Sequence, residues 1–532
     1  MVTAYAAGAM SLSQLRLPLV LFLVFLAVTM FTAIITSPHR DELGEFYLGS
    51  RRLSPLRYGM AMCGDYISAA TLLGSTGLVC LTGYDGLLYL VGTAIGWIMV
   101  LLLIAEPLRN TGLFTLGDTV ALRMRDAQRP VRLAVGICAL VVSVLYLVAQ
   151  LVASVALLAQ FTGMPGSAAR ALCVTTVGCL VVFYVAVGGM PGTTFIQIAK
   201  TVLLVVVVAV AVVLVLTHFT WSGDDLLGAA AANSGHGDAY LRPGLRFGAS
   251  TVSKLDFFSL ALSMALGVGG LPHIVMRLLS PAGTRQLRTA VLWTVGLVGA
   301  VCLAVGILGL GTAAIVGTDN VRAGDSTGNS AVLLLAQSVG GTLLMAAFSC
   351  LVFATILSVA AGVTLAAASA LAHDVYAHAL RQGRVNDRQE VAVARVSAGA
   401  VGVLGILIAL LAWDWNAASL AFLAFAIAAS SMVPTILYTL FWSRFTARGA
   451  LFALYGGLGC SLLLVVFSPL VSSTPASLLP SADFAWFPLQ NPGIVSVPAG
   501  FLLGWLGTVT SSRTADHAGY QEFEERCLTG VE

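Results

Sequence analysis

One carboxylate, one amine and a set of hydroxyls stand inside stretches otherwise apolar enough to enter a bilayer. Asp65 lies in GMAMCGDYISAATLLGSTGLVCLTGYDG (59–86), with Ser68, Thr71 and Ser75 and with glycines at 64, 74 and 77. Ionisable groups within a membrane are costly, and the default reading of one is functional. Asp65 therefore reads as a coupling-ion or gating group. The alternative is a structural carboxylate, bonded to freed backbone amides or to an arginine of a neighbouring helix. Ser68 and Thr71 are three residues apart and share a helical face, as ligands or as glue between helices. Gln197 and Lys200 share a face in GGMPGTTFIQIAK (188–200). Lys200 sits roughly 10 Å above the start of its helix at a rise of about 1.5 Å per residue. It either snorkels to the cytoplasm or serves an anionic substrate or a proton, since buried lysines lose their proton readily.

A second set lies further along. Thr355 and Ser358, at i and i+3, belong to FATILSVAAGVTLAAASALAHDVYAHAL (353–380). Hydroxyls and freed carbonyls suit a hard cation such as sodium, although small-residue helix packing explains the alanines equally well. In SMALGVGGLPHIVMRLLS (263–280), Gly267, Gly269, Gly270 and Pro272 should break a helix. A broken membrane helix is tolerated only against protein or a watery cavity, and two such helices mark a midplane site. Their half-helix N-termini expose N–H groups that suit a carboxylate. His273 reads as a packing histidine, and Arg277 as the marker of the cytoplasmic end.

The elements that position these residues follow from hydropathy. The 532 residues are 58% hydrophobic and only 10% charged, against about 25% charged in soluble domains. Apolar runs predict an all-α polytopic membrane protein of about thirteen spans, near 15–37, 58–82, 86–107, 132–162, 168–188, 193–217, 253–277, 288–316, 333–372, 393–412, 416–441, 448–470 and 492–511. The ninth is too long for one straight crossing, so it must tilt or continue beyond the membrane. With the N-terminus outside, twenty of the 27 basic residues fall on the cytoplasmic side and six outside, with Lys200 within a span. That asymmetry places the C-terminus in the cytoplasm. It also predicts a multi-pass protein of the cell membrane.

The broken spans two and seven lie five apart, which predicts a five-plus-five inverted repeat, spans 2–6 (about 58–217) and 7–11 (about 253–441). Residues 1–45 form a preceding helix and first loop, 46–445 the core, and 446–532 two extra helices and a short tail. The Gly- and Asp-rich loop 218–252 reads as mobile and external. Nine scattered cysteines without a C-x-x-C pair read as packing residues, with no metal site or disulfide frame. No loop is long enough for a nucleotide-binding or catalytic domain. This excludes ATP-driven pumps, membrane kinases and enzymes built on such domains. No basic, aromatic block suggests nucleic acid, and no cofactor is expected beyond a coupling ion. The expected surroundings are lipid and a small solute. The oligomeric state is not legible.

The stretches FYLGSRRLSP, GDYISAATLLGSTGLVCLTGYDGLLY, GWIMVLLLIAEPLRNTGLFTLGD, YLVAQLV, GGMPGTTFIQIAKTVLL, GLPHIVMRLLS, FATILSVAAGVTLAAASALAHDVY and LAFAIAASSMVPTILY occur collinearly over about 45–445. Together they resemble the sodium:solute symporter family, most closely its acetate and monocarboxylate branch. The resemblance implies a LeuT-like fold, alternating access by rocking of spans 2, 3, 7 and 8, and cation-coupled uptake. It places a sodium site on the carbonyls of Gly64, Ile67 and Thr355 and the hydroxyl of Ser358, with a last ligand at Val359. Sugar and proline members carry a hydroxyl at that last position and an acid where Gln197 stands. The family's sodium site is therefore reduced here. Lys200 is placed to supply a positive charge, as a lysine does in some proton-coupled relatives of this fold, so sodium and protons both stand as coupling ions. The resemblance also implies a substrate site at Thr71, with Ser68, Gly269 and Gly270 beside it. A cavity of small, apolar groups fits acetate, propionate or pyruvate. The rivals are a symporter of proline, a sugar or an organic cation, and a non-transporting sensor on the same fold.

Overall fold

The computed structural model describes residues 12–35, 37, 42–49, 53–162, 167–324, 328–412, 417–474, 477, 479, 481–512 and 517–530. Arg40, Arg51, Arg52 and Arg513, which contribute to the predicted orientation, lie outside the described residues. Every predicted span falls on helix, and no β-strand occurs among the described residues. Among the described residues, nine long apolar helical segments stand out, with shorter ones at Leu23–Ile35, Ala70–Thr82 and Gly493–Val509. One of the nine, Ser167–His218, bends at Gly189 (φ 50°) and covers predicted spans five and six. Only glycine enters that backbone region at little cost.

Span two starts at Pro55, after Ser54 Oγ has accepted from the Arg57 N–H, and runs helically to Tyr66. It then opens: Ile67 is extended (φ −66°, ψ 103°). Ser68 Oγ accepts from the Thr71 N–H at 3.3 Å, which caps the outer half-helix. Span seven breaks in the same manner. Thr251–Gly267 passes through a 3₁₀ turn, Val268–Gly270, to an extended Leu271, and Pro272 starts the inner half at Pro272–Leu279. Span nine is long and not straight. It turns at Gly341 (φ 62°) and continues in a wider π-helical stretch, Ala370–Leu380.

The core is one large apolar mass between these helices with two small clusters beside it, around Tyr89 and Phe247 and around Leu464 and Phe487, while large apolar side chains such as Leu102, Leu303 and Val396 project outward. Such a surface is stable against lipid and would be a liability in water. Spans twelve and thirteen lie on span eleven through close backbone approaches. A Cβ at Gly457 or Gly500 would stand 2.0 or 1.9 Å from the Ser430 carbonyl. Six of the nine cysteines are buried as packing residues, Cys173 and Cys460 are half-buried, and Cys179 is exposed.

Two regions differ from expectation. Loop 218–252 is folded, not mobile: Gly223–Asn233 is helical, and Tyr240 is buried with its hydroxyl donating to Val79 O and Cys80 O. Asp85 pins the following turn by accepting from the N–H groups of Gly244, Arg246 and Phe247. The tail contains a docked helix, His517–Thr529, whose Tyr520, Phe523 and Cys527 are buried. Arg123 lies over the Tyr520 ring at 4.8 Å, and Arg125 pairs with Glu522 at 2.7 Å.

Candidate functional site

The break in span two frees main-chain carbonyls, and one side chain takes two of them. Lys200 Nζ donates to Gly64 O at 2.9 Å and to Ile67 O at 2.5 Å, with the whole lysine buried. The ammonium does not snorkel. The approach of span six is close enough that a Cβ at Gly64 would lie 2.4 Å from Gln197 O, so glycine is needed there. Of the remaining residues of that predicted set, the Thr355 hydroxyl donates to Leu351 O at 2.7 Å. The Ser358 hydroxyl donates to Thr355 O at 3.1 Å. Val359 is fully buried in the apolar core.

Asp65 stands on the neighbouring face, buried, with Oδ2 3.5 Å from Arg277 Nε. Arg277 also donates to Thr194 Oγ1 at 2.5 Å and to Gln197 Oε1. The expectation that Arg277 marks the cytoplasmic end is thus overturned. The short half-helix Pro272–Leu279 carries it inward, where it is 1% exposed and ties spans two, six and seven together. A lone buried guanidinium would be costly, and the carboxylate, amide and hydroxyl acceptors offset that cost. Span nine closes the pair off, since a Cβ at Gly362 would sit 2.1 Å from Asp65 Oδ1.

One turn further along span two, Ser68 and Thr71 lie with their hydroxyls 3.3 Å apart. His273 is buried and stacked on Tyr146 (ring centroids 5.4 Å, planes 20° apart), but its Nε2 has no hydrogen-bond partner among the described residues. Tyr146 and Tyr66 both meet Phe425 edge-on, and Tyr66 meets Trp97. Gly269 and Gly270 form the span-seven break, each pressed on a neighbour: Ile104 for Gly269, and the Ala428 carbonyl for Gly270. The residues expected to act together therefore divide between two levels. Gly64, Asp65, Ile67, Gln197 and Lys200 form a charged level with Arg277 added, and Ser68 and Thr71 an aromatic-walled level beside it.

A third cluster escaped the sequence reading. Asp118 Oδ1 meets His373 Nε2 at 2.9 Å and Arg132 Nη1 at 2.8 Å. His373 Nδ1 lies 2.8 Å from Glu390 Oε1, and Arg132 also reaches Asp374 at 3.1 Å. Burial pushes the Asp118 carboxyl up, but His373, Arg132 and the Phe114 N–H outweigh it and hold it well below the usual range. Asp118, His373 and Asp374 are close enough to hold a metal ion. Arg132 already bridges the two carboxylates, which makes this an ion-paired clamp on spans four, nine and ten. The signal was present in LGD and AHD, but only their meeting in space gives them meaning.

Two helices broken in mid-membrane, with hydroxyls, carbonyls and a charged level at the breaks, define a secondary transporter of the LeuT-like class. The chain matches the sodium:solute symporter family over residues 46–457 and belongs to it; it is a multi-pass membrane symporter and not an enzyme. It is 41% identical over 520 residues to a monocarboxylic acid transporter of Corynebacterium glutamicum, covering 96% of this chain and 94% of that one. It is 38% identical over 514 residues to an uncharacterized symporter of Bacillus subtilis, covering 96% and 98%. The solved structure of a Na+-coupled sialic acid symporter in a substrate-bound outward-open state superposes with a TM-score of 0.70 at 12% identity, covering 94% of this chain and 98% of that one. The fold is shared at that level, as the five-plus-five expectation requires.

Proposed function

We propose that the protein imports a short monocarboxylate (acetate, propionate or pyruvate) together with a proton, and that Lys200 carries the proton. The observation that supports this most is the position of the ammonium. Its nitrogen donates to the Gly64 and Ile67 carbonyls, the same two oxygens that the family resemblance assigns to sodium. A protonated lysine there does what a bound cation would do: it neutralises the carbonyl dipoles exposed by the break and holds span two in its opened form. Loss of the proton removes that charge, leaves the carbonyls without their cation, and frees span two to shift. Protonation from one side and deprotonation toward the other then couple the proton gradient to the rocking of spans 2, 3, 7 and 8.

The substrate carboxylate sits at the aromatic-walled level, against Thr71 and Ser68 and near the Gly269–Gly270 break. Few amides or free hydroxyls are available there for a sugar. The name of the C. glutamicum relative points to the same substrate class. Asp65 and Gln197 act as gating groups by holding Arg277. The asymmetry of Lys and Arg supports an outside N-terminus and a cytoplasmic C-terminus.

The test is uptake of labelled acetate, propionate and pyruvate into proteoliposomes, with proton and sodium gradients imposed separately. Accumulation under an inward proton gradient without sodium is the expected result. Accumulation driven by sodium alone would return the coupling role to the Gly64, Ile67, Thr355 and Ser358 site. No accumulation under either gradient would refute the substrate class, with proline and sugars next in line.

A further inference from the structure

A carboxylate must find positive charge on its way in, and the charged level has none to spare. Arg277 is engaged by Asp65, Thr194 and Gln197, and Lys200 by two carbonyls. A cavity of about 120 Å³ on the side of the 218–252 loop offers a different cation. A single water needs only about 10–15 Å³ of such space, so a two- or three-carbon acid fits with part of its hydration. The wall includes Gly74 and Leu78 of span two, Tyr89 of span three, Asn491, and the charged pair Arg246 and Asp256.

Arg246 is an exposed residue whose charge acts on Asp256 across the cavity at more than ion-pair distance. It lies 5.7 Å from the Tyr89 ring and 5.4 Å from the Phe247 ring. Its backbone is fixed independently, because the Arg246 N–H donates to Asp85 at 2.7 Å. The aromatic faces orient the cation without using its N–H donors, which leaves the planar fork for an anion. Asp256 accepts from the Asn491 N–H at 2.9 Å and thereby holds the opposite rim. Gly74 and Leu78 of span two line the cavity, and Thr71, three residues before Gly74, is part-exposed as they are.

We propose that this cavity is an outer carboxylate-binding subsite, in which Arg246 holds the substrate anion before it moves one turn inward to Thr71. The inference rests on the monocarboxylate reading above. Asp256 opposes the anion and sets how tightly it is held.

The test is the concentration dependence of initial pyruvate uptake into proteoliposomes for the wild type, Arg246→Gln, Arg246→Lys and Asp256→Asn. Arg246→Gln should raise KM about tenfold with the maximal rate unchanged, since one charge-assisted contact is lost. Arg246→Lys should stay within about threefold, because the charge remains. Asp256→Asn keeps the acceptor for Asn491 and should lower KM. Added inert salt should raise the wild-type KM and leave that of Arg246→Gln nearly flat. Wild-type KM and salt response in Arg246→Gln would overturn the subsite while leaving the transport reading intact. If Arg246→Gln fails to fold, an unchanged KM in Asp256→Asn overturns it instead. A wild-type protein that moves no monocarboxylate at all would remove both readings.

Discussion

An Arg277→Met substitution would strip Asp65 of the cation 3.5 Å from its Oδ2 and leave Gln197 Oε1 without its donor. Asp65 Oδ1 has no hydrogen-bond partner among the described residues, so the contact of Oδ2 with this arginine is the carboxylate's ion pair. At an effective dielectric of about 20, two unit charges at this separation attract by roughly 5 kcal/mol. Removing one member of a buried pair typically costs about 3–5 kcal/mol. Asp65→Asn removes the other member and should cost a similar amount, less whatever Thr194 and Gln197 retain of the guanidinium. The double variant Asp65→Asn/Arg277→Met leaves neither member of this pair without the other and should be more stable than the sum of the single losses predicts. Unfolding of the purified protein can be followed with a thiol-reactive dye, because six of the nine free cysteines are buried. All three variants should reach the membrane, and all should transport poorly. Strictly additive losses in the double variant would refute the pairing argument. Normal uptake by Asp65→Asn would remove the pair from the gating mechanism.

Three further outcomes follow from the same geometry. Gly362→Ala places a methyl 2.1 Å from Asp65 Oδ1 and 3.1 Å from Gln197 Nε2; it should cost about 1–3 kcal/mol by overpacking and depress uptake, and wild-type behaviour would show that span nine does not press on the pair. Asp118→Asn breaks the clamp with His373 and Arg132 and should lower stability by about 3–5 kcal/mol. Because the folded Asp118 carboxyl is held below its ordinary value of 3.8, its contribution is complete above that pH and is lost as pH falls through the depressed folded value. The gap between wild type and Asp118→Asn in thermal unfolding should therefore not close between pH 8 and pH 5. A gap that closes in that range would contradict the assignment. Phe523→Ala in the docked tail helix should cost about 3 kcal/mol by the same dye assay, and no loss would mean the helix contributes nothing to the fold.

The spans and the two breaks were legible in the sequence because lipid leaves little choice: apolar runs must be helical, and Gly-rich interruptions must face protein or water. The participants of the charged level were legible as well, since Asp65, Gln197 and Lys200 are polar where polarity is costly. Their pairing was not. Lys200 is 136 residues from Gly64 and 133 from Ile67 in the chain, and nothing local says whether its stem turns inward or out to the interface. Arg277 misled for a related reason, because its distance from the break suits a membrane boundary and only the tilt of a short half-helix turns it inward. The 218–252 loop has the composition of a mobile segment, and Asp85, on another element, is what orders its later part. The tail did carry a local signal. Tyr520, Phe523 and Cys527 at i, i+3 and i+7 form an apolar stripe whose partner is the surface that includes Arg123.

The central claim is that an ammonium does the work of a coupling cation, and lumenal pH reports on it directly. Pyruvate suits this measurement better than acetate, because its conjugate acid is stronger and less of it leaks through lipid uncharged. With pyruvate added outside proteoliposomes that hold a pH-sensitive dye, in sodium-free buffer, wild-type protein should acidify the lumen. Lys200→Met should not acidify it, although it should still bind pyruvate. Influx in the wild type that requires sodium and leaves lumenal pH unchanged would contradict the account.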